Sequence, residues 1–201
     1  MYRISPRSPE SINFDAGIGY QRLLALQLGF RQYKQGNFAE AADILDPSGL
    51  DPFLLADYSD YFFALSVVGA GFKQKGIDVL EGFSVQYPAS PYVVQALGKR
   101  AEWLMEEEKV NEAVLLLQGN PLLSKEPSLL LLLGKAHLEN QQPKKAISSY
   151  QQVYFSHPLG LEAKEAGQAL RRLRKGRVAE FPQVPKKLQI WAARYRRLFQ
   201  I

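Results

Sequence analysis

The sequence predicts an all-α fold in which pairs of helices stack into a solenoid, with about ten helices and no β-sheet. The first observation is a repeat, because the small residues Ala41, Gly76, Ala113 and Ala146 recur at nearly even intervals, close to the ~34-residue period of a helix–turn–helix unit. The second is that apolar residues recur at helical spacing, for example between positions 54 and 65. The third is that no strand-length stretch of apolar–polar alternation stands out.

Each repeat carries the same pattern of residue types. The segment from Leu130 to Pro158 contains a large residue, a Leu-Gly pair, a ring, a small residue, a bulky residue and a final proline. The same offsets recur in three further copies: Ala25, Leu28-Gly29, Gln32, Ala41 and Leu45; Asp60, Phe63-Ala64, Val67, Gly76, Leu80 and Pro88; and Leu97, Arg100-Ala101, Leu104, Ala113 and Leu117. The pattern resembles the tetratricopeptide repeat, and this resemblance implies a right-handed helical-hairpin solenoid.

The small residues of the pattern have a physical role. Gly29, Ala64, Ala101 and Gly134 let two helices approach closely, and bulky neighbours fill the grooves beside each contact. Turn residues such as those at 36–37 and 142–143 lie where one helix must end and the next begin. We therefore expect the small and the bulky positions to be buried in every repeat.

The chain is predicted to have three parts. Residues 1–19 form an extended N-terminal tail, and residues 20–176 form a tetratricopeptide-like solenoid of about four helix pairs plus one helix. Residues 177–201 contain a proline-bearing connection and the start of the next helical pair. Within the fifth first helix, residues 160–176, Leu161 and Leu173 are expected to point inward.

The end of the sequence carries an apolar helical face with no following partner. Leu188, Trp191, Tyr195 and Leu198 recur at spacings of three and four residues. Terminal repeats of a solenoid normally present a polar outer face. Either this helix folds back over the fifth first helix or the chain is a fragment of a longer protein, and we expect the fragment.

Composition and charge exclude several kinds of site. The chain has no cysteine, so disulfides and thiolate metal sites are excluded. No apolar run approaches the ~18 residues of a membrane span. The net charge of +5 is uneven, since residues 160–201 hold eleven Lys and Arg and three acidic residues, against fourteen and seventeen in residues 1–159. The basic segment is interpreted as a solvated helix face, and nucleic acid is not expected as a partner.

Several longer segments resemble a known family. The runs LLADYSDYFFALSVVG, VLEGFSVQYPASPYVVQA, YQQVYFSHPLGLEAKEA and FPQVPKKLQIWAARYRRLF are similar to the N-terminal superhelical domain of soluble lytic murein transglycosylases. The resemblance spans most of residues 20–200 and implies a periplasmic bacterial protein that acts on peptidoglycan. In that family a separate lysozyme-like domain carries the catalytic Glu of a Glu-Ser motif. Glu10-Ser11 lies in a proline-flanked tail, so the resemblance extends to the scaffold and not to the activity.

No active site is recognised in the sequence, and the chain is predicted not to be an enzyme. His137 occupies the ring position of its repeat, and His157 precedes its joint proline as Tyr87 does two repeats earlier. Neither has a second ligand at metal spacing or a positioned acid–base partner. We therefore predict no catalytic, metal-binding or cofactor-binding residues and no cofactor.

Two functions remain open from the sequence. The first is a non-catalytic scaffold that organises peptidoglycan glycan strands or a protein partner beside the catalytic domain of a longer parent chain, in the periplasm. The second is a free-standing tetratricopeptide adaptor that binds a peptide or protein in its concave groove, in the cytoplasm. By the tetratricopeptide resemblance, the groove would include Phe30, Tyr33, Lys34, Tyr58, Tyr61, Gln95, Glu102, Lys135 and Glu139. The three tyrosines alternatively fill the core between repeats.

Overall fold

The computed structural model describes residues 16–47 and 55–176, together with positions 186, 189, 190 and 193. Residues 16–47 and 55–176 contain ten helices and no strand, in agreement with the predicted fold class. The helices are α1 (Ala16–Gln35), α2 (Phe38–Leu45), α3 (Ala56–Gly69), α4 (Lys73–Val79), α5 (Phe83–Gln86), α6 (Val93–Glu106), α7 (Val110–Gln118), α8 (Pro127–Glu139), α9 (Pro143–Ser156) and α10 (Leu161–Lys175). The predictions for residues 1–15, for Leu54 and for the apolar face of the last helix lie outside the described residues.

The chain divides into two compact units, Met1–Gly76 and Ile77–Ile201. In the first unit α1 packs against α2, α2 against α3, and α1 against α3. In the second unit α6 to α10 form a series in which each helix packs against the next. There, α6 also contacts α8, and α8 contacts α10. Within each unit, the first helices of successive repeats therefore lie side by side.

The start of α1 corrects one sequence expectation. The helix begins at Ala16, inside the segment predicted to be an extended tail. The sequence of 16–35 contains no proline, so every residue there has the backbone donor that a helix uses.

The turn inside each repeat uses one left-handed residue. Gly36, Gly71, Glu108 and Gln141 have φ of +82°, +97°, +60° and +55°, and they recur at the same intervals as the small residues of the repeat. The amide of each donates to a carbonyl three residues back, and the next amide donates to a carbonyl five residues back. This is the Schellman arrangement that satisfies the last carbonyls of a helix. The same joint therefore recurs in all four repeats, with glycine in only two of them.

Small residues face bulky ones between paired helices, as the sequence predicts. A Cβ added to Gly29 would collide with the side chain of Leu45, and one added to Gly134 would collide with the ring of Tyr150. Leu45 and Tyr150 are almost fully buried, so neither side chain has room to move aside. The close approach of α1 to α2 and of α8 to α9 therefore requires glycine at these two positions.

The residue directly before each of the small residues Gly29, Ala64, Ala101 and Gly134 differs in burial from repeat to repeat. Its burial depends on whether a preceding repeat packs against it. Phe63 and Leu133 are buried, whereas Leu28 is 47% exposed, because α1 has no preceding helix in the described part of the chain. The third repeat has Arg100 at this position, and its guanidinium forms a 2.9 Å ion pair with Glu81.

The prediction that Leu161 points inward is wrong. Leu161 is 78% exposed, since it is the first residue of α10 and precedes the face that packs on α9.

The joints that contain Tyr87 and His157 have the same backbone. The φ and ψ angles are −127° and 61° at Tyr87, and −128° and 55° at His157. Each amide donates to a carbonyl four residues back, and each carbonyl accepts from the amide three residues on. The predicted equivalence of the two joints, which lie two repeats apart, is confirmed.

Candidate functional site

Four rings in the first unit form one contact network, which we call the aromatic surface: Phe30, Tyr33, Phe38 and Phe62. The ring centroids of Phe30 and Phe62 are 4.8 Å apart in an edge-to-face arrangement. Tyr33 on α1 contacts rings of both other helices: its ring centroid is 5.4 Å from that of Phe62 on α3 and 5.8 Å from that of Phe38 on α2. Three helices therefore contribute to the surface, and edge-to-face and tilted contacts of this kind favour fixed ring positions.

The aromatic surface is partly open to solvent. Phe30 is 39% exposed, and Tyr33, Phe38 and Phe62 are half-buried. The Phe38 ring packs closely against Gly69 of α3, where an added Cβ would collide with the ring. The rings thus combine partial exposure with close packing beneath them, which is typical of an aromatic anchor site.

The other predicted groove residues of the first unit differ in accessibility. Lys34 is exposed, and its Nζ lies 6.0 Å from the centroid of the Phe30 ring. Tyr58 is half-buried. Tyr61 is 7% exposed, and its ring contacts Phe62 at 5.3 Å, so it belongs to the core, the alternative that the sequence left open.

Apolar side chains extend the aromatic surface along α1. Leu23 is 46% exposed and lies seven residues before Phe30, on the same face of the helix. The sequence of α1 contains no acidic residue, whereas Arg31 and Lys34 are basic and exposed. The face that runs from Leu23 to Phe30 therefore carries exposed apolar side chains, with exposed Gln27 between them and the Lys34 cation beside Phe30.

The predicted groove residues of the second unit lie on α6 and α8. Gln95 is exposed, and Glu102 forms a 2.8 Å ion pair with Lys99. Lys135 lies 3.7 Å from Glu165 of α10. These pairs are solvated, so they contribute little to stability and leave their charges accessible.

The charge of Glu139 contributes to a raised pKa at Tyr150. Burial, and secondarily the charge of Glu139, raises the pKa of Tyr150 to about 12. Tyr150 is 2% exposed and is the bulky residue of its repeat. The phenol therefore stays protonated at neutral pH and serves packing.

One histidine is buried and the other lies at a helix end. His137 is 2% exposed, and its Nε2 lies 3.4 Å from Nε2 of Gln118. Burial and the charge of Lys145 lower its pKa, partly opposed by Gln142, so the ring is neutral at pH 7. His157 ends α9 at the proline joint. In the described part of the chain, no three His, Cys, Asp or Glu side chains are grouped so as to hold a metal ion.

The sequence did not identify the whole aromatic surface. Phe62 belongs to the apolar helical spacing between positions 54 and 65, but the sequence singled out neither Phe62 nor Phe38 as a binding residue. The available signal was spacing, because Phe62 follows Tyr58 by one helical turn and Phe38 directly follows the turn at Gly36.

No described helix is long and apolar enough to cross a membrane.

Solved structures decide the fold family. The chain is similar to a putative kinesin light chain of Podosopora anserina with nearly identical TPR-like repeats, with a TM-score of 0.54, 19% identity, and coverage of 94% of this chain and 99% of that chain. A single-substitution variant of that protein gives a TM-score of 0.56 at 20% identity, covering 90% and 98%. The fold is that of TPR-like helical repeats. At this identity the likeness concerns the TPR-like fold alone. No family model matches the sequence, and no curated protein matches it significantly.

Proposed function

We propose that this chain is a non-catalytic TPR-like interaction module that binds an extended segment of a protein partner on the aromatic surface. The observation that carries the proposal is the 39% exposed ring of Phe30, set in a network of rings from three helices. Aromatic anchors that are already ordered lose little conformational entropy when a ligand binds. TPR-like solenoids offer such ligands an extended surface made by their first helices.

The dimensions of the surface set the length of the segment. Leu23 and Tyr33 are ten residues apart on α1, which corresponds to about 15 Å along a helix. An extended peptide advances by about 3.3 Å per residue, so about five residues would cover this distance. The partner segment would place apolar side chains over Leu23 and Phe30. Acidic or neutral side chains would lie beside Arg31 and Lys34, since α1 carries no acid.

Peptide selection followed by mapping tests this proposal. A random peptide library would be selected on the full chain, and binding of the recovered peptides would be measured for Phe30→Ala and for the control Leu115→Ala. Leu115 is 69% exposed in the second unit, so the control removes a similar apolar area elsewhere. We expect about tenfold or greater weakening by Phe30→Ala only, as for a hot-spot ring. Peptides that bind Phe30→Ala as tightly as the wild type would contradict the proposal.

The second candidate is the scaffold of a lytic transglycosylase that holds peptidoglycan beside a catalytic domain. It is supported by the sequence segments at 54–69, 79–96 and 150–166 that resemble that family, and by rings able to stack on sugar faces. This proposal implies a periplasmic location, whereas the adaptor proposal implies the cytoplasm. Co-sedimentation with purified sacculi, lost in Tyr33→Ala, would favour the scaffold. Release of anhydro-muropeptides by the chain itself would contradict both non-catalytic proposals.

A further inference from the structure

A second candidate site lies in the other unit, between α9 and α10. A cavity of about 280 Å³ is lined by Gln151, Tyr154, Phe155, Gly167, Leu170, Arg171 and Arg174. The three lining residues of α9 lie on one face of that helix, because the second and third follow the first by three and four positions. The lining residues of α10 likewise share one face, since they are three or four positions apart along it. Among the described residues, the lining contains two arginines and no carboxylate.

The floor of the cavity depends on a glycine. A Cβ added to Gly167 would lie 2.9 Å from the Tyr154 ring, so the ring rests against α10 where glycine leaves the space of a side chain. Nε of Arg171 donates to the Gly167 carbonyl at 3.2 Å. This bond uses Nε, and the two Nη groups of the guanidinium are further hydrogen-bond donors.

We propose that this cavity binds an acidic side chain of a protein partner. A planar guanidinium recognises a carboxylate by paired charge-assisted hydrogen bonds. Tyr154, Phe155 and Leu170 supply an apolar wall for the aliphatic stem of a glutamate or for the residue next to it. This apolar wall favours a protein side chain over free phosphate, which has no apolar part. None of the lining residues belongs to the aromatic surface, so this proposal does not rest on the proposed function.

Helix electrostatics alone do not explain the arrangement. Basic residues at the end of α10 interact favourably with the helix dipole, and this accounts for Arg172 and Lys175 as well as for Arg174. It does not account for the alignment of Arg171 and Arg174 with the rings of α9, one turn apart on a single face.

The charge of the cavity is complementary to an acidic segment rather than to the basic sequence that follows α10. Residues 177–201 carry Arg177, Lys186, Lys187, Arg194, Arg196 and Arg197 against the single acid Glu180. A segment of this charge is repelled by two arginines. An acidic partner segment is complementary to them.

Titration of the ¹⁵N-labelled full chain, followed by NMR, tests the proposal. The probe is a capped peptide Gly-Glu-Leu-Glu-Leu-Gly, and the matched probe has glutamine in place of both glutamates. We expect saturable shifts of the Gln151, Tyr154 and Gly167 amides with the first probe. Binding should weaken about tenfold or more with the second probe and in Arg171→Gln. Arg172→Gln is the control, since Arg172 lies on the same helix outside the cavity lining.

Five results would overturn the proposal. Absence of shifts at the cavity amides would do so, as would an equal loss in Arg172→Gln, which would indicate general attraction to a basic helix. Inorganic phosphate that displaces the peptide at equal strength would reassign the cavity to simple anions. Nuclear Overhauser contacts from residues 177–201 to Tyr154, with no response to the peptide, would show that the chain fills its own cavity. Shifts confined to Phe30 and Tyr33 would leave the aromatic surface supported and this site refuted.

Discussion

Alanine substitution should have opposite effects at two helical glycines of the second unit. A Cβ added to Gly98 in α6 would have Leu129 Cδ2 as its nearest neighbour, at 3.8 Å, which is ordinary contact. A Cβ added to Gly134 in α8 would come within 3.0 Å of three atoms of the Tyr150 ring. Since that ring is 2% exposed, it cannot swing into solvent.

The expected magnitudes follow from two opposing contributions. Replacing glycine by alanine inside a helix stabilises by about 1 kcal/mol. Overpacking a tight core costs about 1–3 kcal/mol. Gly98→Ala should therefore raise the free energy of unfolding by about 1 kcal/mol, whereas Gly134→Ala should lower it by about 0–2 kcal/mol.

A compensating substitution tests whether Tyr150 causes the loss. The third repeat pairs Ala101 with Leu117 at the same offset, and both are almost fully buried. Adding Tyr150→Leu to Gly134→Ala reproduces this pair. The double-mutant cycle should show a favourable coupling of about 1 kcal/mol or more between the two substitutions.

Urea unfolding followed by circular dichroism measures these differences. With a slope of about 2 kcal/mol per molar urea, the midpoints of Gly98→Ala and Gly134→Ala should differ by about 0.5–1.5 M. An unchanged slope would show that the same surface is exposed in each case. Equal midpoints for the two variants, or no coupling with Tyr150→Leu, would refute the close-packing account of the repeat.

Three further predictions concern the joints and the buried histidine. Glu108→Gly and Gln141→Gly should each stabilise the chain by about 0.5–1 kcal/mol in urea unfolding, because both residues have positive φ, whereas Gly71→Ala should destabilise it. A loss of stability in both glycine variants would contradict this. His157→Tyr should change the free energy of unfolding by less than about 0.5 kcal/mol, since Tyr87 adopts the same backbone, and a large loss would show a contact specific to imidazole. The folded-state pKa of His137 lies below its unfolded value, so stability should be lost as pH falls below about 6.5 and towards the lowered pKa. The His137→Gln variant should lack this component of the pH profile, and an unchanged profile would assign it to other groups.

The repeat architecture could be predicted because it depends on local pairs at fixed offsets. Gly29 with Leu45 and Gly134 with Tyr150 are sixteen residues apart, so one hairpin determines each contact. The left-handed turn residues recur at the same intervals as the small residues. Positions such as Glu108 show that the joint is imposed by the packing of the hairpin even where the residue is not glycine.

The candidate sites could be predicted only in part, because they depend on neighbours from other repeats. Phe30 and Tyr33 were expected on the groove side, but the pattern does not show that Phe62 and Phe38 meet them. The burial of Tyr61 and the exposure of Leu28 likewise depend on which helices lie alongside. The cavity beside Arg171 arises from the contact of Gly167 with Tyr154, which no single-repeat pattern contains.

The most direct test of the central claim is the ratio of dissociation constants for a selected peptide between Phe30→Ala and the wild-type chain, measured by fluorescence polarisation. The account predicts a ratio of about ten or more, with Leu115→Ala within about twofold of the wild type. A ratio near one for Phe30→Ala, with both variants fully folded by circular dichroism, would contradict binding at the aromatic surface.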